Sequence, residues 1–489
     1  MNQIDFNTIL PVVILTIWAC ALLLVDLFVS TGRKGLTALL AAVGLALTMG
    51  ITLIQAGNQS SGFGGMVVLD GFSNFLSILF LLTGLFGIAV AYGYLSRMKI
   101  ERGEYYVLML FSVAGMMLMS QATDLIITFL ALELLSIPLY VLAAFAYPRS
   151  ESEESGLKYF LLGAFATGFV VYGIALTFGA TGTTSIPGIA VAVSGGAANH
   201  MLLLIGAALI LVGFGFKIAL VPFHMWTPDV YQGAPTSVTA FMAAGAKAAG
   251  FAALLRVFAT AFPSLGTDLM PVLAVLSALT MIAGNVIAIA QTDIKRMLAY
   301  SSIAQAGYIL MAFVPFADEK VRLVAVASGL FYLVAYTLTS FGSWGVVIAL
   351  EKANPAANAG QESRGLAISD YAGLGKKYPL LAAAMTIFML SLTGLPPTLG
   401  LVGKMYLFRA VLEGGVYWLA VVGVLTSLIS AYYYLQVVRT MYMKDGDPQI
   451  TREFWLELAI GASAVLTVVL SLVPQSLFEW ASQAVLKLF

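Results

Sequence analysis

The sequence predicts an all-α polytopic membrane protein of about fourteen transmembrane helices with two inverted five-helix repeats, each containing a broken helix. Three observations predict it. The mean hydropathy is +0.96, and only 10% of the 489 residues are charged, against about 25% in soluble domains. Apolar runs fill the chain from end to end, so lipid is its natural solvent. Two of those runs are interrupted by proline with a lysine close by.

Hydropathy places the spans at 8–29, 35–56, 72–95, 105–121, 124–147, 158–180, 202–222, 236–262, 270–290, 298–317, 324–350, 380–408, 417–440 and 454–475, each near the ~20 residues that cross a bilayer. An even count puts both termini on one side. Basic residues then set the sides. One set of connections, from Arg33 and Lys34 to Lys444 and Arg452, holds fifteen Lys or Arg; the opposite set and the tail hold four, Lys320, Arg322, Arg409 and Lys487. The positive-inside rule puts the first set in the cytoplasm and both termini on the periplasmic side of a bacterial inner membrane. The N-terminal flank carries Asp5 and no Lys or Arg before the first apolar run, which does not fit a cleavable signal.

Composition removes several classes of chemistry. Net charge is zero, so nothing points to nucleic acid. The single cysteine, Cys20, excludes disulfides, multi-thiolate iron–sulfur sites and cysteine-based zinc sites. Two histidines, His200 and His224, do not fit a haem held across helices. No glycine-rich nucleotide fingerprint stands between a strand and a helix. The chain is therefore expected to hold no cofactor of its own.

The interrupted spans are the seventh, at Val221-Pro222-Phe223-His224, and the twelfth, at Gly394-Leu395-Pro396-Pro397. Proline lacks a backbone donor and clashes with the preceding turn, and broken backbone at membrane depth survives only in protein or beside a wet cavity. Each break has a lysine nearby, Lys217 and Lys404. Five spans separate the breaks, an odd number, so the second five-helix block is inverted relative to the first, a plan common in transporters. The expected division is 1–100 as an N-terminal three-helix segment, 101–265 as the first repeat broken near 222, 266–443 as the second repeat broken near 396, and 444–489 as a C-terminal helix.

Glu133 lies ~13 Å into its span and Lys247 ~16 Å into its own at 1.5 Å per residue, near the middle of a ~30 Å core. A charge there costs ~2.5–3.5 kcal/mol on insertion scales, so Glu133, Lys217, Lys247 and Lys404 together would cost on the order of 10–14 kcal/mol if unpaired. Such residues are paired, hydrated or both. A Glu–Lys pair that forms and breaks is a switchable proton site, so Glu133, Lys217, Lys247, Lys404 and His224 read as a proton relay. The alternative is a set of static ion pairs that fix packing. Lys158 and Arg256, near span ends, fit interface anchoring equally well. His224 fits a cap of the break, and Asp229 a cap of the second half-helix. Tyr432, Tyr433 and Tyr434 fit either a water chain or aromatic packing. Residues 149–154 read as a solvated loop, 57–71 and 181–200 as Gly/Ser-rich loops, and 351–377 as the longest polar connection.

The stretch Gly213 to Pro235, with Lys217-Ile218-Ala219-Leu220-Val221-Pro222-Phe223-His224-Met225-Trp226-Thr227-Pro228-Asp229-Val230-Tyr231-Gln232-Gly233-Ala234-Pro235, resembles the signature of the antiporter-like subunits of respiratory complex I. Further matches are Ala131-Leu132-Glu133-Leu134-Leu135-Ser136-Ile137-Pro138, Gln291-Thr292-Asp293-Ile294-Lys295-Arg296, and Gly403-Lys404 after Gly394-Leu395-Pro396-Pro397. The resemblance covers essentially the whole chain. It implies fourteen helices, one proton channel, Glu133 and Lys217 as a charged pair, Lys247 as central relay and Lys404 as terminal lysine. A lysine at 404 favours the N-type branch, since the M-type sister typically has glutamate there. The partners it implies are M- and K-type membrane-arm neighbours and a peripheral arm. Those partners would hold NADH, FMN, iron–sulfur clusters and quinone. A subunit of a multisubunit cation/proton antiporter shares the buried lysines and is the competing function. A membrane scaffold with static ion pairs is the third.

Overall fold

The computed structural model describes residues 3–196, 199–352 and 365–485. Its helices are α1 (Gln3–Asp26), α2 (Gly35–Ile54), α3 (Gly71–Arg97), α4 (Glu104–Gln121), α5 (Leu125–Ala143), α6 (Ser150–Thr181), α7 (Ile186–Ser194), α8 (His200–Lys217), α9 (Trp226–Gly233), α10 (Thr236–Phe241), α11 (Lys247–Ala261), α12 (Gly266–Ile289), α13 (Ile294–Phe313) and α14 (Glu319–Leu350). They continue with α15 (Leu374–Lys377), α16 (Pro379–Thr393), α17 (Leu399–Glu413), α18 (Tyr417–Met443), α19 (Phe454–Leu472) and α20 (Pro474–Val485). Among the described residues eleven helical stretches are long and apolar enough to cross a membrane. Three further ones complete fourteen. They are α4, whose hydropathy is diluted by Glu104 and Gln121 at its ends; α13, which carries Ser301, Ser302 and Gln305; and the broken pair α16–α17, each half too short alone.

Polar residues just ahead of the apolar runs start the helices. Asp124 accepts the Ile126 N–H at 2.8 Å, Asp293 the Arg296 N–H at 2.9 Å and Asp318 the Lys320 N–H at 2.9 Å, satisfying amides that would otherwise be orphaned at a helix start. Asp70 forms a full capping box with Ser73 at the head of α3.

The five-helix plan recurs. In the first block α4 pairs with α5, α6 runs along the broken α8–α9, and α11 packs back on α4. In the second, α12 pairs with α13, α14 runs along the broken α16–α17, and α18 packs back on α12. The first break covers 218–225 and the second 394–398. Each contains a cis proline peptide, Val221–Pro222 and Pro396–Pro397.

The helices divide into a perimeter and a centre. α1, α6, α18 and α19 expose outward-facing Leu, Val, Ile and aromatic side chains, as a lipid-facing surface requires. The stretch Thr236–Ala261 is wholly enclosed and α14 largely so. One turn of that enclosed stretch, Met242–Ala246, is π-helical and leads directly into Lys247; such bulges frequently mark functional positions.

Several expectations are corrected. Residues 150–154 are the first turn of α6, not a loop. Their Glu151 and Glu153 suit the positive helix start, and Ser152 Oγ donates to the Ala143 carbonyl at 2.8 Å. The stretch 57–71 contains a hairpin, β1 (Ser60–Gly62) with β2 (Val67–Leu69), and 181–200 contains α7. Residues 353–364 of the polar connection, with Arg364, lie outside the described residues, as do 197–198 and Lys487. Arg256 is no interface anchor. Its guanidinium grips the Asp70 carboxylate through two 2.9 Å hydrogen bonds, with both residues buried and Phe72 under the guanidinium at 4.8 Å. This pair locks α11, and with it Lys247, to the start of α3.

Removing one partner of such a pair leaves an uncompensated buried charge, which costs ~3–5 kcal/mol, whereas replacing both is close to neutral. Arg256→Met is therefore expected to lower stability by about that amount in thermal unfolding of the detergent-solubilised protein. Asp70→Asn with Arg256→Met keeps a helix cap and is expected to recover most of the loss. A double variant as unstable as the single one would contradict the assignment.

Candidate functional site

A lysine in hydrocarbon needs oxygen acceptors for its three donors. Lys217, Lys247 and Lys404 are all buried, at 5%, 2% and 3% exposure, and each has found them. Lys217 is the last residue of α8. Its Nζ donates to Ser136 Oγ of α5 at 2.7 Å and to Tyr159 Oη of α6 at 3.2 Å. Trp226, the first residue of α9, stacks on Tyr159 at 4.6 Å and donates its Nε1–H to the Phe216 carbonyl at 3.0 Å. The second half-helix is thereby tied to the end of the first.

Lys247 donates to both the carbonyl and the hydroxyl of Ser302 on α13. Tyr336 of α14 donates to the same hydroxyl at 2.8 Å. Lys217 and Lys247 meet one face of α11. A Cβ on Gly250, one turn beyond Lys247, would stand 2.5 Å from Ile218 Cγ2 and 3.3 Å from Lys217 Cγ. The missing side chain lets α11 lie close against Ile218 and the Lys217 stem.

Lys404 reaches back across the second break. Its Nζ donates to the Leu392 and Thr393 carbonyls at 3.0 and 2.9 Å and to Ser427 Oγ at 2.6 Å, with the Tyr308 ring 4.4 Å away. The two carbonyls belong to the last turn of α16, where the backbone leaves acceptors free and the helix dipole is negative. Gly394 ends that helix at φ +87, and a Cβ there would stand 2.8 Å from Lys404 Cδ.

A polar seam joins the last two seats. Ser301, next to the Ser302 that holds Lys247, shares a hydrogen bond with Tyr434. Gln305 donates to Tyr434 Oη at 3.3 Å and to the Leu392 carbonyl at 3.0 Å, the carbonyl that also receives Lys404. Tyr332 donates to Gln305. Beside it Tyr433 donates to Asn285 at 2.9 Å, Asn285 to Tyr308 at 3.2 Å and Tyr308 to Thr426 at 3.0 Å. Tyr433 and Tyr434 thus take part in the polar seam, while Tyr432 faces outward.

Glu133 and Lys217 are not in direct contact. Glu133 is half-buried on α5 and accepts from Thr167 Oγ1 at 2.8 Å. Ser136, one turn along α5, holds Lys217 instead. On α5 Glu133 is one turn from Leu130 and from Ile137, both of which are exposed. His224 lies within the first break, half-buried, with its Nδ1 enclosed. Its carbonyl, not its ring, caps α9, accepting the Thr227 N–H at 2.9 Å. Asp229 does not cap that half-helix; it bridges Lys158 at 2.7 Å and Arg296 at 2.9 Å. Lys158, 40% exposed, also pairs with Glu154 at 2.6 Å.

Sequence reading did not single out Tyr159, Ser302, Tyr336, Gln305, Asn285 or Ser427 as site residues. A signal was present: hydroxyl and amide side chains on one face of an otherwise apolar span. On α13, Ser301, Ser302, Gln305 and Tyr308 fall at the 3–4 residue spacing of one helix face.

The chain matches the family model described as NADH:quinone oxidoreductase/Mrp antiporter, TM, over residues 122–430. It is 47% identical to NADH-quinone oxidoreductase subunit N of Trichlorobacter lovleyi over 99% of this chain and 98% of that protein. It is 46% identical to the subunit of the same name in Chloroflexus aggregans, again over 99% and 98%. Among solved structures it resembles a chain of respiratory complex I from Thermus thermophilus with bound aureothin, at 35% identity and TM-score 0.81 over 96% of this chain and 99% of that one. A chain of the Mrp complex from a Dietzia species shares the fold, at TM-score 0.85 and 21% identity, over 100% and 98%.

The Gly394 seat is testable against an ordinary helical glycine. A left-handed conformation costs a non-glycine residue ~1–2 kcal/mol, and Gly394→Ala adds the clash with Lys404. It is expected to lower stability by at least that much in thermal unfolding. Gly461, inside α19 with nothing within 4 Å of its would-be Cβ, is the control: Gly461→Ala is expected to raise stability by ~0.5–1 kcal/mol. Equal effects would contradict the special conformation of Gly394.

Proposed function

The chain belongs to the NADH:quinone oxidoreductase/Mrp antiporter family of membrane proteins, and from that premise we propose that it is the proton-translocating, N-type antiporter-like subunit of a respiratory complex I. One observation carries the mechanism. Among the described residues, none of Lys217, Lys247 and Lys404 has a carboxylate within ion-pair distance; their acceptors are hydroxyls and carbonyls. A static buried pair looks like Asp70–Arg256, with charge matched to charge. A lysine seated on neutral oxygens can lose its proton without leaving an unpaired carboxylate beside it. The three therefore act as relay stations, with Glu133 biasing Lys217 from the bundle edge. His224, within the first break, is the proposed ring-nitrogen station beside Lys217.

Protons pass laterally from Lys217 to Lys247 across α11, then along the Ser301–Tyr434–Gln305 seam to Lys404. Moving one charge against 100 mV needs ~2.3 kcal/mol. That energy comes from electron transfer in partner subunits, which would hold NADH, FMN, iron–sulfur clusters and quinone. M- and K-type membrane subunits and the peripheral arm are the proposed neighbours. The fifteen-to-four distribution of basic residues supports a cytoplasmic basic face and periplasmic termini in a bacterial inner membrane. The division at 101–265 and 266–443, flanked by 1–100 and 444–489, is the proposed repeat boundary. A cation/proton antiporter subunit shares the fold, but the relatives at 46–47% identity carry the NADH-quinone oxidoreductase name.

In the purified complex, reconstituted in vesicles, Glu133→Gln or Lys217→Ala is expected to lower proton uptake and coupled quinone reduction together, while reduction of an artificial acceptor by the peripheral arm continues. Lys404→Met is expected to do the same. Full pumping in all three variants would return these residues to a structural role. Co-purification without flavin or iron–sulfur proteins would sink the complex I assignment.

A further inference from the structure

The basic face of the molecule holds a cavity of about 1100 Å³ between the ends of α3, α13 and α14, bordered by Tyr94, Lys295, Glu351 and Arg149. At ~30 Å³ per molecule it has room for tens of waters. None of the three relay lysines lines it. At its floor sits Glu351, the residue that ends α14. Glu351 is 1% exposed. One carboxylate oxygen, Oε1, accepts from Tyr94 Oη at a long 3.3 Å, and the other, Oε2, is buried with no hydrogen-bond partner among the described residues. Lys295 is also buried, but its ammonium goes to the Ala234 carbonyl at 2.8 Å, not to Glu351. A buried carboxylate oxygen without a donor is costly, and the cavity beside it is where water would supply one.

From Glu351 a path leads inward on one helix face. Residues 336, 340, 343, 347 and 351 of α14 follow the 3–4 residue spacing that stacks side chains along a helix. They are Tyr336, Ser340, Ser343, Val347 and Glu351. Ser340 and Ser343 are buried on this face, and Ser343 Oγ donates back to the Ser340 backbone carbonyl at 3.0 Å. Tyr336 at the inner end donates to Ser302, the residue that holds Lys247. The stripe covers ~22 Å at 1.5 Å per residue, and Val347 is its one apolar position. A second contact points the same way. Tyr94 Oη, which donates to Glu351, accepts the Thr236 N–H at 3.1 Å, at the head of the enclosed stretch that carries Lys247.

We propose that this cavity is a hydrated vestibule through which protons enter from the basic face, and that Glu351 is the carboxylate that takes them up. The proposal rests on the reading of this chain as a proton-translocating subunit with a cytoplasmic basic face. The step is a simple proton transfer. A hydronium in the vestibule gives its proton to Glu351 Oε2, leaving water, and the new O–H bond breaks when the proton moves on toward the Ser343–Ser340 hydroxyls. No electron moves. The groups facing Glu351 that share its field are Tyr94 on α3, Lys295 on α13, and Tyr371 in the connection after α14. Arg149 acts on Tyr94 and Lys295 from the start of α6.

The test is the purified complex in vesicles, with proton uptake and its pH profile followed for Glu351→Gln, Glu351→Asp and Lys404→Met side by side. Glu351→Gln is expected to slow coupled uptake by about tenfold or more, the scale for loss of a proton-transferring group. Glu351→Asp is expected to restore most of the uptake with a displaced pH profile. Wild-type uptake and pH profile in Glu351→Gln would overturn the proposal. If Lys404→Met stops uptake while Glu351→Gln does not, only the vestibule assignment fails; if neither does, the translocation reading fails with it. Should Glu351→Gln not assemble, Glu351→Asp decides, and an unaltered pH profile there counts against the role. If neither assembles, Ala146→Cys, on the vestibule wall in a Cys20→Ser background, is probed with a membrane-impermeant maleimide. Labelling from the basic face alone is expected, and no labelling overturns the vestibule.

Discussion

The structure is organised by the need to hold three ammonium groups inside hydrocarbon, where among the described residues none of them is paired with a carboxylate. Each must find oxygen, and at membrane depth oxygen comes from hydroxyl side chains or from backbone carbonyls released where a helix stops. The two breaks meet that need differently. At the second break Lys404 sits on the two carbonyls freed at the end of α16. At the first, Lys217 ends α8 itself and turns to Ser136 and Tyr159 on neighbouring helices. Lys247, on an intact span, takes both oxygens of Ser302. The glycines at 250 and 394 belong to the same solution, since a side chain at 394 would clash with the Lys404 stem and one at 250 with Ile218, the residue after Lys217.

Charge is treated in two ways, and the contrast gives each its meaning. Asp70 and Arg256 are matched by two parallel hydrogen bonds and tie α3 to α11. Nothing in that geometry invites a change of protonation. Lys217, Lys247 and Lys404 are given dipoles in place of charges, so the field around them is incomplete and can be completed or emptied by a proton. Because the helix that carries Lys247 is fully enclosed while the perimeter helices face outward, this incomplete set is kept from lipid and joined by hydroxyl, amide and phenol groups. Function and fold therefore draw on the same polar residues.

The sequence showed the spans, the breaks and the charged positions because each is a local deviation from an apolar background: Val221-Pro222, Pro396-Pro397, or a single lysine in a run of alanine and leucine. The seats were not legible for a different reason. Lys247 and Ser302 are 55 residues apart, Gln305 and Leu392 87, and Asp70 and Arg256 186, and serine or tyrosine barely disturbs the hydropathy of a span. The face of α14 that runs from Glu351 to Tyr336 was hidden likewise, because Ser340 and Ser343 barely disturb the hydropathy of a 32-residue apolar helix. The start of α6 was misread because its glutamates dilute hydropathy, although they suit a helix N-terminus. The expected contact of Glu133 with Lys217 gave way to Ser136 because Glu133 points toward the edge of α5, where Leu130 and Ile137 face outward.

That the buried lysines change protonation during work is the central claim, and nitrogen NMR of the lysine side chains tests it most directly. The complex is labelled with ¹⁵N-lysine, the Lys217, Lys247 and Lys404 signals are assigned by single replacements, and spectra are recorded at rest and during steady turnover. A relay predicts that at least one of the three nitrogens exchanges between ammonium and neutral amine when turnover begins. Three signals fixed as ammonium in both states would contradict it and leave the lysines as structural charges.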